Sequence, residues 1–211
     1  RQDRDLPCRR VECVSGSVTF DVLMRPGRRG DTVNPYHSTI GKQTVFNVGT
    51  VLGLFLHSPE LEMDWSDECV SGRFEMREGE KRTLAIVVCS DGPLVVPSIE
   101  EIDERIDISD NEWRVWADRV AYDGQNRHAF LRSALALKLL LFSPSGAIAA
   151  APTTSLPEKI GGPKNYDYRY AWVRDAGYTI KAFLAAGAEA EAKAAFSWLL
   201  DQIEEHGTQV C

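Results

Sequence analysis

The sequence predicts a chain of two parts, a β-sandwich followed by helices. Its first part carries short apolar runs with a period of two, separated by turn residues and by no helical pattern. After Pro93 and Pro97 the apolar residues recur every three or four positions instead. We therefore expect residues 1–92 to belong to an N-terminal β-sandwich, 93–124 to form a helical connector and 125–211 to begin an all-helical domain.

Several strands are predicted in the first part. The clearest covers residues 18–24, VTFDVLM, in which apolar side chains largely alternate with others. The turn signals RPGRRGD, HSPE and REGEK fall between the runs. Short strands without intervening helices indicate an antiparallel sandwich rather than a parallel sheet. The other predicted strands are 44–51, 52–57, 72–76 and 83–89.

Two helix starts are predicted in the connector. Ser98 with Glu101 forms a capping box, and Ser109 with Glu112 forms a second one. The sequence thus predicts two short connector helices in succession.

The helices that follow have apolar residues in rows. In the helix after Gln125 one row is Phe130, Ala134, Leu137 and Leu141, and a second is Leu131, Leu135 and Leu139. A helix that is apolar on two sides packs on two sides, which predicts a layered helical array. Two more helices are expected over roughly 175–186 and 189–205, with Gly187 ending the first. The predicted apolar stripe of the second is Phe196, Leu199, Leu200 and Ile203.

Composition excludes several classes of function. The 211 residues carry a net charge of −7, which argues against a nucleic-acid partner. No apolar run approaches the ~18–20 residues of a membrane span, and no phosphate loop, metal-ligand cluster or cofactor motif is present. The five cysteines are odd in number and lack metal spacing, which favours reduced thiols in a cytoplasmic protein. The chain begins with Arg1 rather than methionine, so we expect it to be a piece of a longer protein.

The strongest functional signal is the connection over residues 143–174. Ordered loops of this length are uncommon and usually functional, and this one ends in the aromatic run NYDYRYAWVRD. A hexose has an apolar face that stacks on an aromatic ring and hydroxyls that need donors and acceptors. Trp172 can supply the ring, Arg174 the donors and Asp175 the acceptor. A structural alternative stays open, in which Asp175 is a helix N-cap and Arg174 pairs with a neighbouring carboxylate.

Residues 147–176, AIAAAPTTSLPEKIGGPKNYDYRYAWVRDA, resemble the opening of the catalytic domain in glycoside hydrolase family 15. This is the glucoamylase family, which also includes glucodextranases and some bacterial and archaeal trehalases. The segments APTTSLPE, N-x-D-Y-R-Y and W-x-R-D-A occur in the family's order and spacing, and the β half resembles its N-terminal sandwich. The resemblance implies an (α/α)6 barrel of twelve helices, of which this chain would contain about the first three.

The resemblance also implies an activity and a binding site. It implies an exo-acting, inverting hydrolase of glucoamylase type that releases glucose from an α-glucoside oligo- or polysaccharide without a cofactor. The alternatives are a trehalase of the same family, acting on trehalose, and a non-catalytic carbohydrate-binding module. Arg174 and Asp175 match the pair that grips the non-reducing glucose, and Tyr168 and Trp172 match aromatics that line the same pocket.

Glycoside hydrolysis further requires two carboxyl groups, an acid for the leaving oxygen and a base for water. The loop offers Glu158 and Asp167, and we interpret both as structural. The resemblance implies that the acid and the base come from later loops, beyond Cys211. No catalytic residue is therefore assigned within this chain.

Overall fold

Ten short strands and four helices form within residues 7–26, 36–41, 43–66, 69–89, 92–154 and 159–207, which the computed structural model describes. The chain divides into two compact units, residues 1–111 and 112–211, so the predicted connector falls partly in each. Strands dominate the first unit and helices the second, which confirms the predicted class of a β-sandwich part followed by helices. The domain boundaries drawn from the sequence stay predictions.

The first unit contains two antiparallel sheets. The larger has the order β1-β8-β5-β4-β3 and the smaller the order β2-β7-β6. Every predicted strand is present, with shifted ends, and the structure adds three that lack an alternating pattern, namely β1, β3 and β6. The strands are β1 (Cys8–Glu12), β2 (Ser17–Met24), β3 (Tyr36–Ile40), β4 (Gln43–Val48), β5 (Val51–His57), β6 (Asp64–Ser66), β7 (Cys69–Arg77) and β8 (Lys81–Cys89).

The larger sheet is covered on both faces. One face packs on the smaller sheet through a cluster that includes Phe46, Phe55 and Val70. The other face packs on helix α1 (Ile99–Asp118), where Ile102 meets Leu56 in a second apolar cluster. Strand β5 therefore reads as a nearly continuous apolar run, because side chains on both of its faces are buried.

Helix α1 corrects the prediction of two connector helices. It is one helix of 20 residues, and no glycine or proline lies between its ends. The first predicted capping box is confirmed, because the Glu101 N–H donates to Ser98 Oγ at 3.1 Å and the Ser98 N–H donates to Glu101 Oε2 at 2.8 Å. The second is wrong: Ser109 lies inside the helix, and a capping serine must lie at a helix end.

The second unit contains three further helices and a short hairpin. Its core consists of Ile148, Phe183 and three alanines, surrounded by half-buried side chains such as Trp116 and Leu137. Gly187 follows the third helix of the chain with a φ of 74°, as predicted for a residue that ends a helix. The elements are α2 (Arg127–Leu139), β9 (Leu141–Phe142), β10 (Ala147–Ile148), α3 (Val173–Ala185) and α4 (Glu189–His206).

The apolar rows predicted for α2 and α4 coincide only in part with the faces on which these helices pack. On α4 the buried residues are Ala192 and Ala195, whereas Phe196, Leu200 and Ile203 are 52%, 49% and 40% exposed. Small alanines let α4 lie close to its neighbours, while the larger side chains beside them stay partly exposed and Leu199 is half-buried. In the two rows predicted for α2, Ala134 is buried and Leu139 is exposed, while Leu141 lies in β9.

None of the helices in these described ranges combines the length and apolar character that a membrane span requires. The cysteines that the structure describes, Cys8, Cys13, Cys69 and Cys89, form no disulfide with one another. Cys211 lies outside the described residues.

The turn of the β9–β10 hairpin leads to a stability prediction. Gly146 has a φ of 88°, and a Cβ added there would lie 2.4 Å from the Ala194 carbonyl oxygen of α4. We expect Gly146→Ala to lower the free energy of unfolding by about 2–4 kcal/mol, because strain at positive φ and a backbone clash add up. Chemical denaturation measures the loss. The matched control is Gly79→Ala, with a φ of 83° and no atom within 4 Å; equal losses for both variants would contradict the proposed clash.

A partly buried charge cluster joins α1, α2 and α4 within the second unit. The Lys138 ammonium and the Trp116 indole N–H both donate to Glu191 Oε1, each at 2.7 Å. Lys138 Nζ also lies 4.9 Å from the centre of the Trp116 ring. Burial raises the pKa of Glu191, but hydrogen bonds from Lys138, the helix backbone and Trp116 outweigh it and hold the pKa below its usual value.

We expect Glu191→Ala to destabilise the protein by about 2–3 kcal/mol at pH 7, because it leaves Lys138 half-buried without its carboxylate. A depressed pKa contributes stability above the unfolded pKa of about 4.3, and this stability is lost as the pH falls through the folded value. The difference between wild type and variant should therefore shrink below about pH 4. Denaturation at several pH values measures it, with Glu189→Ala, which removes an exposed pair with Lys193, as a control expected to have little effect. An equally large, pH-independent loss in both variants would rule out this explanation.

Candidate functional site

The long loop over residues 143–174 is held together by backbone hydrogen bonds between its first and last parts. The Ala151 N–H donates to the Tyr168 carbonyl oxygen at 2.8 Å, and the Ala150 N–H donates to that of Tyr170 at 3.1 Å. Gly161, with a φ of 76°, lies in the turn between these ends. The aromatic segment is thus fixed against the segment of small residues that begins the loop.

Three aromatic rings of this segment form one cluster. The Trp172 ring centre lies 5.3 Å from that of Tyr168, with the planes tilted by 34°, and 5.7 Å from that of Tyr166 in an edge-on arrangement. The Trp172 indole N–H donates to the Asp167 carbonyl oxygen at 3.3 Å. The one polar atom of this half-buried ring is therefore satisfied by the backbone, and its remaining surface is apolar.

Arg174 and Asp175 lie beside this cluster, in the first turn of α3. Their side chains contact each other, with 3.3 Å between Arg174 Nη2 and Asp175 Oδ2, and are 67% and 35% exposed. The Arg174 guanidinium carbon lies 5.9 Å from the centre of the Trp172 ring. The structure thus brings together the four residues that the sequence predicted, because Tyr168 and Arg174 both neighbour Trp172.

The N-cap alternative for Asp175 is wrong. Helix α3 begins at Val173 and its N-cap is Trp172, which has extended backbone angles and makes no side-chain capping bond. Asp175 is the third helical residue, where a carboxylate still gains from the helix dipole. The other part of the structural alternative is observed, because Arg174 does pair with a carboxylate, that of Asp175.

This pair has spare hydrogen-bonding capacity. A guanidinium carries five N–H donors and an ionised carboxylate accepts through two oxygens. The contact that the structure gives between the two groups uses one donor and one oxygen. A donor and an acceptor side by side next to an aromatic ring match the needs of a sugar, which presents hydroxyls at its edge and C–H groups on its face.

Asp167, one of the two loop carboxylates considered from the sequence, does not offer an acid for catalysis. Asp167 accepts hydrogen bonds from the Arg169 guanidinium and from its backbone N–H, which hold the pKa of that carboxyl below its usual value. A carboxyl group that stays ionised cannot donate a proton to a leaving oxygen. Glu158 lies outside the described residues. Within the described ranges no group of three or more His, Cys, Asp or Glu side chains is placed to hold a metal ion.

Two neighbours of the site were missed from the sequence. Arg169 binds Asp167 two residues before it, a spacing typical of an aspartate that closes a turn. Tyr178 is 71% exposed and follows Asp175 by three residues and Arg174 by four, so it lies on the same side of α3. Helical spacing alone could have identified Tyr178.

Comparison with known proteins finds one matching family and several relatives. The family glycosyl hydrolases family 15 matches residues 124–209. A trehalase of Thermoplasma acidophilum is 45% identical over 100 residues, which are 47% of this chain and 17% of the relative. A trehalase of Mycobacterium tuberculosis is 31% identical over 203 residues, or 92% of this chain and 29% of the relative. One of Mycolicibacterium smegmatis is 41% identical over 103 residues, 48% of this chain and 15% of the relative.

Residues 124–209 match glycosyl hydrolases family 15, and a β-sandwich part followed by helices is the fold that the resemblance to this family implied. The helices of the second unit are the start of the family's (α/α)6 barrel. The chain spans less than a third of the length of the relatives it matches. No solved structure matches it significantly.

Proposed function

We propose that the full-length protein to which this chain belongs is a glycoside hydrolase that cleaves trehalose into two molecules of glucose. The observation that carries the proposal is the Arg174–Asp175 pair beside the Trp172 ring, 3.3 Å apart and open to solvent. The relatives described above are named trehalases, and one of them aligns with 92% of the chain. They favour trehalose over the glucoamylase-type oligosaccharide that the resemblance first implied.

Trehalose fits the chemistry of the site. Its two glucose units are joined through their anomeric carbons, so each unit keeps free hydroxyls around the rest of its ring. In the proposed complex one glucose stacks on the aromatic cluster of Tyr168 and Trp172. Arg174 donates to one hydroxyl of that glucose and Asp175 accepts from a neighbouring one. A ring extended by further sugars at those hydroxyls would collide with the pair, which supports an exo-acting enzyme.

Cleavage itself needs an acid and a base on opposite sides of the glycosidic bond. In our proposal neither is Asp167, whose carboxyl is engaged by Arg169, nor Asp175, which holds substrate. Both come from parts of the full-length protein outside this chain. The reaction is proposed to be inverting and to use no cofactor, on the basis of the resemblance to glycosyl hydrolases family 15.

The test is a comparison of substrates with the full-length protein. We expect kcat/KM for trehalose to exceed that for maltose and for longer malto-oligosaccharides. A preference for the longer malto-oligosaccharides would support the glucoamylase-type alternative instead. Saturable binding of sugars without hydrolysis of any of them would support the non-catalytic module.

A further inference from the structure

The turn that carries Tyr168 is closed by the side chain of Asp167. Asp167 Oδ1 accepts a hydrogen bond from the Arg169 backbone N–H at 3.0 Å, the bond that defines an Asx turn. The Arg169 guanidinium also binds this carboxylate, with Nε donating to Oδ1 at 3.0 Å and Nη2 donating to Oδ2 at 2.6 Å. The Asp167 side chain is 27% exposed, whereas that of Arg169 is 62% exposed.

The two carbonyl groups next to this turn hold the site together. The Asp167 carbonyl accepts the Trp172 indole N–H at 3.3 Å, and the Tyr168 carbonyl accepts the Ala151 N–H at 2.8 Å. Rotation of either peptide plane would break one of these bonds. The conformation of the turn therefore determines both the position of the Trp172 ring and the register of the loop ends.

We propose that Asp167 is a positioning residue, whose carboxylate fixes the turn that holds the Trp172 indole against Tyr168. The expected effect on kcat/KM for trehalose rests on the proposed function, whereas the expected effect on the position of Trp172 does not. The hydrogen bond from the Arg169 backbone N–H to Asp167 Oδ1 carries the effect. The ion pair contributes little, because the guanidinium is largely exposed and such pairs are weak in water.

Three substitutions distinguish the contribution of the turn hydrogen bond from that of the ion pair and from a catalytic role of the carboxylate. Asp167→Asn keeps an oxygen that can accept the Arg169 N–H but removes the charge. Arg169→Gln keeps the carboxylate and the backbone donor but removes the guanidinium. Asp167→Ala removes the acceptor altogether. We expect the first two to keep kcat/KM for trehalose within about threefold of wild type, and Asp167→Ala to lose about tenfold or more, through misplacement of the binding ring.

A second readout follows Trp172 itself and needs no activity. The contribution of Trp172 to the fluorescence spectrum is obtained in each background by subtracting the spectrum of the same protein with Trp172→Phe. We expect this difference spectrum to shift to longer wavelength in Asp167→Ala, as the indole becomes more hydrated, and to stay in place in Asp167→Asn and Arg169→Gln. If the full-length protein hydrolyses no sugar, the proposed function fails but this readout still tests the positioning role.

Several outcomes would overturn the proposal. An unchanged Trp172 spectrum in folded Asp167→Ala would show that the turn does not depend on the carboxylate. An equal loss in Asp167→Asn and Asp167→Ala would show that the charge, as an ion pair or as a catalytic group, is what matters. If Asp167→Ala does not fold, Asp167→Ser replaces it, since its hydroxyl is a weaker turn acceptor. The Trp172 spectrum of Asp167→Ser should then lie at longer wavelength than that of Asp167→Asn, and the reverse order would overturn the proposal.

Discussion

Replacing Arg174 or Asp175 by alanine in the full-length protein is expected to lower kcat/KM for trehalose by about 100- to 1000-fold, or about 3–4 kcal/mol. Each change removes a charged hydrogen-bonding partner of a glucose hydroxyl. It also leaves the other member of the 3.3 Å pair without its counter-charge when the substrate excludes water. Steady-state kinetics with trehalose measures the loss.

Two variants sharpen this test. Arg174→Lys keeps the charge but not the planar fork of donors, so we expect a loss between those of wild type and Arg174→Ala. Arg132→Ala on α2 removes an exposed arginine outside the site and should leave kcat/KM unchanged. Activity of Arg174→Ala within twofold of wild type would refute its assignment to the site.

Loss of the aromatic platform is the second large effect. Trp172→Ala is expected to lower kcat/KM for trehalose by about 10- to 100-fold, because the sugar loses its stacking surface and Tyr166 and Tyr168 lose the ring that they pack against. Trp172→Phe retains an apolar face but not the hydrogen bond to the Asp167 carbonyl, so we expect a smaller loss. Unchanged kcat and KM in Trp172→Ala would show that the ring does not contact the substrate.

The parts of the fold that local pattern determines could be predicted from the sequence. Strand β2 alternates because only one of its faces is partly buried, and Gly187 ends α3 because the chain needs a positive φ there. Strand β3 could not be found in this way, since all of its residues are exposed and no burial imposes a pattern. The second capping box failed because a serine and a glutamate three residues apart occur inside helices as well as at their starts.

The packed faces of the helices depend on neighbours that local sequence does not reveal. On α4 the sequence favours Phe196 and Leu200 as the core face, yet the buried residues are Ala192 and Ala195, which permit close approach. At the site, the motif predicted which side chains gather. It could not predict that the Trp172 indole N–H donates to the Asp167 carbonyl oxygen. Every residue has a backbone carbonyl, and only the folded turn brings this one within reach of the indole.

Proton NMR of the first turnovers of trehalose by the full-length protein tests the central claim most directly. Inversion at the attacked anomeric carbon yields one β-glucose, and the departing unit keeps its α configuration. We therefore expect α- and β-glucose in equal amounts before the sugars equilibrate. Release of α-glucose alone would contradict the inverting mechanism, and trehalose that stays intact would contradict the proposed function.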